Sequence, residues 1–215
     1  RPEVERLAAP PRVDVQILEA CRSASLKIGG PKLRQLGVTS ALPGEGRSTI
    51  ALAMALIQQF DYGRSAILLE ADLENPTLAR RIGANPWPGL SELVNGKNSL
   101  HQALQPVSED LSFIAAGISA RSPARTLTDL GQGDLMERIS AEADVIVADL
   151  PSLLGSSFGR AAATMFDDLL LVIRAGVTPL ARVREATEGL PVQPSVLLNG
   201  ARSDLPRWLQ RLVGF

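Results

Sequence analysis

Cysteine, histidine and aromatic residues are scarce in this sequence: 215 residues include one cysteine, one histidine and one tyrosine, and aromatics make up only 4%. A single cysteine, Cys21, excludes a disulfide framework and fits a reducing compartment. With His101 alone, a zinc site of cysteine and histidine ligands is also excluded. No apolar run reaches the ~18 residues of a membrane span. No long basic run accompanies the net charge of −1, which argues against nucleic-acid binding.

The residues that are present alternate between apolar strand patterns and helical patterns. Hydrophobic residues at 45% and charged residues at 21% are ordinary for a globular protein. Continuous apolar strands separated by helices predict an α/β fold, with a mostly parallel sheet and helices on both faces. The predicted strands are 33–40, 66–69, 111–115, 144–150, 169–173 and 195–198. The predicted helices are 13–28, 48–60, 76–82, 134–141, 157–165, 180–190 and 205–213, with weaker helical patterns at 90–94 and 100–104.

The domain organisation follows from the same pattern. Residues 1–13 contain proline and arginine without periodicity and are predicted to be an N-terminal arm or linker, while 14–215 form one domain. A polar stretch containing Pro123 precedes the helix predicted at 134–141. The chain begins at Arg1 without methionine, so we expect a further segment before it, where a membrane anchor could lie.

A glycine-rich turn between a strand and a helix is the most informative stretch. It reads Val-Thr-Ser-Ala-Leu-Pro-Gly-Glu-Gly-Arg-Ser-Thr over 38–49. Gly44 and Gly46 allow a sharp turn that directs successive N–H groups at one anion, next to a helix N-terminus. The phosphate-binding pattern G-x-x-x-x-G-K-[ST] is altered at Ala41 and Arg47, whereas Ser48 is kept. The alternative is a glycine turn that only caps a helix.

Arg47 stands where this pattern has lysine. Its planar guanidinium keeps the positive charge, but it cannot occupy the space of a compact ammonium between two phosphates. Lysine at this position stabilises charge in the phosphoryl-transfer transition state. We therefore expect nucleotide binding to survive better than catalysis.

Carboxylates follow two of the predicted strands. Glu70 and Asp72 follow the strand at 66–69, and Asp149 lies next to the last residue of the strand at 144–150. Ligands of open α/β sheets lie at the carboxyl ends of strands. Mg²⁺ prefers carboxylate and hydroxyl oxygens, so Ser48, Asp72 and Asp149 are candidate metal ligands. The alternative is that each acid caps the next helix or closes a turn.

On these motifs the chain resembles the cytoplasmic domain of bacterial tyrosine kinases (BY-kinases), the CpsD/CapB family of capsule and exopolysaccharide biosynthesis, over about residues 15–200. Residues 38–49 are similar to its Walker A motif, 67–76 to its second acidic motif and 145–152 to its Walker B motif. The resemblance implies a P-loop NTPase fold, ATP or ADP with Mg²⁺, and a cytoplasmic location at the inner face of the membrane. It implies Glu70 as the base for the substrate tyrosine, Asn199 near the adenine, Mg²⁺ on Ser48, Asp72 and Asp149, and a phosphate loop formed by Pro43, Gly44, Glu45, Gly46, Arg47, Ser48 and Thr49.

The chain departs from the family at several of these positions. The assembly motif E-x-x-R-x-x-R appears as Glu19, Arg22 and Ser25, which puts the implied homo-oligomer in question. Tyr62 is the only tyrosine in these 215 residues, so we expect no self-phosphorylation on a C-terminal tyrosine cluster within them. These departures predict a degenerate (pseudo)kinase that regulates a membrane-anchored polysaccharide co-polymerase or export partner. The alternatives are an active tyrosine kinase or ATPase of the same pathway, and a partition or division-site ATPase, whose additional lysine would stand at Leu42.

Overall fold

A computed structural model describes residues 11–118 and 122–201 of the protein. Within them, a sheet of seven strands has the order β3-β4-β2-β5-β1-β6-β7. All neighbouring strands are parallel except β3 and β4, which are antiparallel. The strands are β1 Gln35–Ser40, β2 Ala66–Glu70, β3 Gln105–Pro106, β4 Leu111–Ile114, β5 Val145–Asp149, β6 Asp168–Arg174 and β7 Ser195–Asn199.

Helices cover both faces of this sheet. One apolar cluster joins α1, α2 and α3 to one face, and a second joins α4 to α9 to the other. Helix α2 lies deepest, with residues 50–59 all buried, as its all-round hydrophobicity predicts. The helices are α1 Val15–Lys27, α2 Arg47–Phe60, α3 Leu78–Ile82, α4 Leu90–Val94, α5 Leu100–Ala103, α6 Pro123–Gln132, α7 Leu135–Ser140, α8 Gly159–Ala163 and α9 Leu180–Thr187.

The predicted α/β fold with a mostly parallel sheet is confirmed. One helix is not predicted from the sequence: the polar stretch around Pro123 forms helix α6. Pro123 stands in the first turn, where a missing N–H costs nothing, and only Thr126, Leu127 and Leu130 are buried. The helix predicted over 205–213 and most of the predicted N-terminal arm lie outside the described residues. The arm boundary at residue 13 therefore stays a prediction.

The strand register fixes where the acidic residues meet. Parallel pairing places Glu70 of β2 opposite Asp149 of β5, and Asp149 opposite Val38 of β1. The carboxyl ends of β1, β2 and β5 therefore lie at one edge of the sheet, beside the start of α2. Within residues 11–118 and 122–201, no helix combines the length and apolar character needed to cross a bilayer.

Candidate functional site

The glycine loop, which we define as residues 41–48, connects β1 to α2. Gly44 and Gly46 adopt positive φ angles of 81° and 94°, a conformation that glycine reaches without steric cost. Gly46 caps α2, and its carbonyl accepts from Thr49 N at 3.0 Å. Among the described residues, no protein acceptor takes the backbone N–H groups of 44–48. The loop therefore presents a row of donors, as an anion cradle requires.

Glu45 holds the loop in this shape from inside the protein. Glu45 is 3% exposed, and its carboxylate accepts from Leu42 N at 2.7 Å, from Arg174 N at 3.1 Å and from the Thr178 hydroxyl. Glu45 thus ties the glycine loop to the end of β6 and the segment after it. Because the carboxylate is already bonded, only the backbone of Glu45 remains free to make the predicted cofactor contact.

Asn199, at the end of β7, also contacts the glycine loop. Its Nδ2 donates to the carbonyl of Glu45 at 2.8 Å. A Cβ atom at Gly46 would lie 2.2 Å from this Nδ2, so the amide packs directly against the loop backbone. The structure therefore brings Asn199 to the predicted site, where it supports the loop.

Pro43 and Thr49 lie at the two ends of the turn. The Pro43 ring packs under the segment that follows β5, since a Cβ at Gly155 would lie 2.5 Å from Pro43 Cγ. The same segment donates from Leu153 N and Leu154 N to the carbonyls of Ser40 and Ala41. These bonds hold the end of β1 and the start of the glycine loop against the segment after β5. The sequence motif gives no signal for this packing.

Arg47, the first residue of α2, turns its side chain toward the two strand-end acids. Its Nε donates to Asp149 Oδ1 at 3.1 Å, and its Nη2 donates to Asp72 Oδ2. The Arg47 side chain is 13% exposed, and those of Asp72 and Asp149 are 4% and 2% exposed. We call Asp72 and Asp149 the acid pair. One guanidinium thus bridges both carboxylates at a site that is largely buried from solvent.

The surroundings of the acid pair set its ionisation. Burial raises the pKa of Asp149 to about 6, and the negative charge of Asp72 adds to this shift. The charge of Arg47 and a hydrogen bond from Ser48 act in the opposite direction. Asp72 Oδ1 also accepts from Asn75 N at 3.1 Å. Asp72, Asp149 and Ser48 therefore lie together, as predicted.

The structure does not arrange these residues as a metal site. In the described part of the chain, no group of three or more histidine, cysteine, aspartate or glutamate side chains is placed to hold a metal ion. Of the predicted Mg²⁺ ligands, Asp72 and Asp149 already share the Arg47 guanidinium. A divalent cation fits this set only after Arg47 moves, so the arrangement disagrees with the predicted ligand role.

Glu70 has different partners from the acid pair. It is 1% exposed, and Oε1 accepts from the N–H groups of Leu78 and Ala79 at the start of α3. Oε2 accepts from Ala116 N at 3.3 Å. Burial raises the pKa of Glu70, while these backbone hydrogen bonds oppose the shift. Glu70 is therefore a buried cap for α3 and the segment after β4, and the predicted role as a base stays a prediction.

No family model matches the chain, but individual sequences do. Tyrosine-protein kinase YwqD of Bacillus subtilis is 31% identical over 170 residues, which are 78% of this chain and 70% of YwqD. The succinoglycan biosynthesis transport protein ExoP of Rhizobium meliloti is 28% identical over 188 residues, which are 84% of this chain but only 24% of ExoP.

Solved structures share the fold. The VpsO kinase domain superposes with a TM-score of 0.77 and 28% identity, over 87% of this chain and 96% of that domain. The septum site-determining protein MinD from Pyrococcus horikoshii, solved with Mg-ADP, has a TM-score of 0.64 at 18% identity, over 84% of this chain and 77% of MinD, a likeness of fold alone. The mostly parallel sheet is thus that of a P-loop NTPase. By its identity and coverage with YwqD, the chain belongs to the bacterial tyrosine kinase (BY-kinase) family.

Proposed function

We propose that this chain is a degenerate (pseudo)kinase domain of capsule or exopolysaccharide biosynthesis. It binds ADP or ATP weakly, transfers phosphoryl groups poorly or not at all, and regulates a membrane-anchored chain-length or export partner from the cytoplasmic side. The observation that carries the proposal is the position of Arg47. The guanidinium lies on the acid pair, although the motif places a phosphate-contacting cation at this residue.

Nucleotide binding is supported by the backbone of the glycine loop. The N–H groups of 44–48 are the donors that cradle phosphates in this fold, and they belong to the main chain. A substitution of one side chain therefore leaves them in place. Ser48 and Thr49 are proposed to line the same cradle, and Asn199, beside Gly46, to lie at its adenine end.

Weak phosphoryl transfer is supported by two side chains. Arg47 is engaged by the acid pair, so its charge is withdrawn from the phosphates, and loss of such charge stabilisation lowers rates by orders of magnitude. Glu70, at the proposed base position, already accepts three backbone N–H groups. A general base must reach the proton that it removes. Catalysis by Glu70 would require the start of α3 to release it.

The pathway and the partner are supported by the relatives. YwqD is named a tyrosine-protein kinase, and ExoP a succinoglycan biosynthesis transport protein. This chain corresponds to 24% of ExoP, so the polysaccharide-related relatives are much longer than it. The proposed partner is accordingly a membrane-anchored chain-length protein. The contacts of α1 within the chain weaken the case for the homo-oligomer that the family implies. Arg22 is paired with Asp61 of the same chain, and Ser25 is fully buried.

Calorimetry and turnover test the proposal together. ADP and ATP are titrated into the protein, and phosphate release is compared between the wild type and Arg47→Lys. We expect measurable nucleotide binding, and turnover at least ~100-fold slower in the wild type than in the lysine variant, since a single transition-state contact has that size. Equal turnover in the two proteins would favour the active kinase or ATPase. A flat titration would point to a scaffold without nucleotide.

A partition or division-site ATPase is the remaining candidate. The fold likeness to MinD supports the architecture only. Those ATPases carry an additional lysine early in the loop, and this chain has Leu42 there. Leu42 donates its N–H to Glu45 and contributes no charge to the loop. The residues of the loop therefore favour the kinase family over this alternative.

A further inference from the structure

We propose that the Arg47 guanidinium is a built-in counter-ion that replaces the divalent cation of this fold, so that the acid pair neither needs nor binds Mg²⁺. The evidence is the bridge itself. Nε of Arg47 bonds Asp149 and Nη2 bonds Asp72, so two different nitrogens of one planar group serve two carboxylates. A lysine ammonium has no such fork, and its attraction is that of a point charge.

The local charge balance favours the guanidinium over a free cation. Two buried carboxylates require positive charge nearby, because an isolated buried charge is strongly disfavoured. Arg47 supplies that charge from within the chain, at no cost in bringing a ligand from solution. A divalent cation would have to displace a guanidinium whose side chain is only 13% exposed, or lie beside it against like-charge repulsion.

The position of Arg47 in the fold keeps the bridge together. Arg47 begins α2, a helix buried from Ile50 to Gln59, and the loop before it is held by the hydrogen bond from Asn199 Nδ2 to the carbonyl of Glu45. Asp72 is held independently through Asn75 N. Since both ends of the bridge are anchored, its geometry does not depend on a bound ligand.

The first test measures the binding of Mn²⁺ to the protein in the absence of nucleotide. Electron paramagnetic resonance measures Mn²⁺ bound by the wild type, Arg47→Ala, Arg47→Gln and the double variant Arg47→Ala/Asp149→Asn. We expect the wild type to bind at least ~10-fold more weakly than either single variant, and the double variant to lose the gain. This fold-change reflects the exclusion of a second cation from a buried site.

Thermal denaturation gives a second readout that needs no activity. Mn²⁺ or Mg²⁺ is expected to raise the melting temperature of Arg47→Ala, and to leave that of the wild type unchanged. Arg47→Gln keeps most of the side-chain volume and serves if the alanine variant does not fold. The proposal is overturned if the wild type binds Mn²⁺ as tightly as the variants, or if removing Arg47 creates no Mn²⁺ site.

A further test measures nucleotide binding, and it rests on the proposed function. We expect the wild type to bind ADP with the same affinity, within about twofold, in Mg²⁺ and in EDTA, whereas Arg47→Lys binds more tightly with Mg²⁺. A wild-type affinity that falls 10-fold or more in EDTA would overturn the replacement of the metal. Absence of any ADP binding would contradict the proposed function, while the Mn²⁺ titration would still decide the role of Arg47.

Discussion

The glycine loop and the acidic strand ends lie side by side at one edge of the sheet, but different atoms build them. The loop offers backbone N–H groups of 44–48, with a buried clamp at Glu45 behind them. The acidic side consists of carboxylates, and each of them is engaged by a donor of the same chain. The loop is thus open to an anion, whereas the acids are closed by intramolecular contacts.

This difference shows which part of a nucleotide site resists sequence change. Main-chain donors persist as long as glycines allow the turn, so replacement of the motif lysine leaves the cradle intact. The acid pair depends on which cation stands nearest. Once Arg47 reaches Asp72 and Asp149, the same carboxylates become part of the protein's own ion-pair network. Four predictions separate the two regions, in order of expected effect.

Removing Arg47 should cost the most stability. Arg47→Ala leaves two carboxylates buried without their cation, and breaking a buried pair typically costs about 3–5 kcal/mol. Urea denaturation of the nucleotide-free protein measures this loss. Arg22→Ala is the matched control, because it removes an arginine whose ion pair with Asp61 is partly exposed, with side chains 47% and 26% exposed.

The control should shift the urea midpoint much less, since exposed ion pairs are screened by solvent. Equal shifts for Arg47→Ala and Arg22→Ala would contradict the assignment of Arg47 as the cation of the acidic side.

Glu70→Ala should have the next largest effect. The substitution leaves the N–H groups of Leu78, Ala79 and Ala116 without their acceptor. An unsatisfied buried donor costs ~1–3 kcal/mol, so we expect a loss of about 2–3 kcal/mol after partial relaxation. Hydrogen exchange at Leu78 and Ala116 should accelerate at the same time.

Glu92→Ala provides the comparison for Glu70, because Glu92 is 4% exposed and accepts from Gly89 N and Ile118 N away from the acid pair. Similar losses in both variants would fit a capping role for Glu70. If Glu70→Ala kept full stability and lost only phosphoryl transfer, the capping role would be wrong.

Gly46→Ala should damage the loop with a smaller loss of stability. Its φ of 94° costs a residue with Cβ about 1–2 kcal/mol. The added Cβ also displaces Asn199, which lies 2.2 Å from that position. We expect ADP affinity, measured by calorimetry, to fall more than stability.

A double-mutant cycle with Asn199→Ala separates the clash at Gly46 from its backbone strain. The double variant should recover only the part of the loss that comes from the clash between the added Cβ and Asn199. Strictly additive losses would mean that Asn199 and Gly46 do not interact, against the packing that the structure has.

The smallest expected effect is on the rate at which Cys21 is alkylated. Burial raises the pKa of its thiol to about 12, so native thiolate is scarce at pH 8. Alkylation by iodoacetamide at pH 8 should therefore follow transient opening of the packing between α1 and α2. Arg47→Ala should accelerate it clearly, and Asn199→Ala only slightly. Equal rates in the two variants would remove the contrast between the acidic side and the loop.

The fold follows from the sequence where the signals are local. β2, β5 and β6 contain continuous apolar runs, and Gly44 with Gly46 marks the turn from β1 into α2. Helix α6 escaped prediction because Pro123 and few apolar residues imitate a loop. Strand β3 escaped because two residues carry no periodicity; its pairing with Phe113 and Ser112 is set by the tertiary structure.

The sequence predicts which residues belong to the site, but it does not predict their hydrogen-bond partners. Strand ends place Glu70, Asp72 and Asp149 at the right edge. Their partners come from 25 residues away for Asp72 and 102 for Asp149, and depend on where the Arg47 side chain points. Glu45 meets Thr178 across 133 residues. No local pattern encodes such contacts, so the motif alone suggests a metal site where the chain supplies its own cation.

The short antiparallel strand β3 carries a consequence for association between molecules. It pairs along the outer side of β4 for two residues and ends in Pro106, which has no amide hydrogen to offer another chain. Unprotected sheet margins are templates for intermolecular pairing, and brief strands and proline are common ways to block it. At this margin the protein is therefore shielded against the strand-by-strand growth that leads to aggregation.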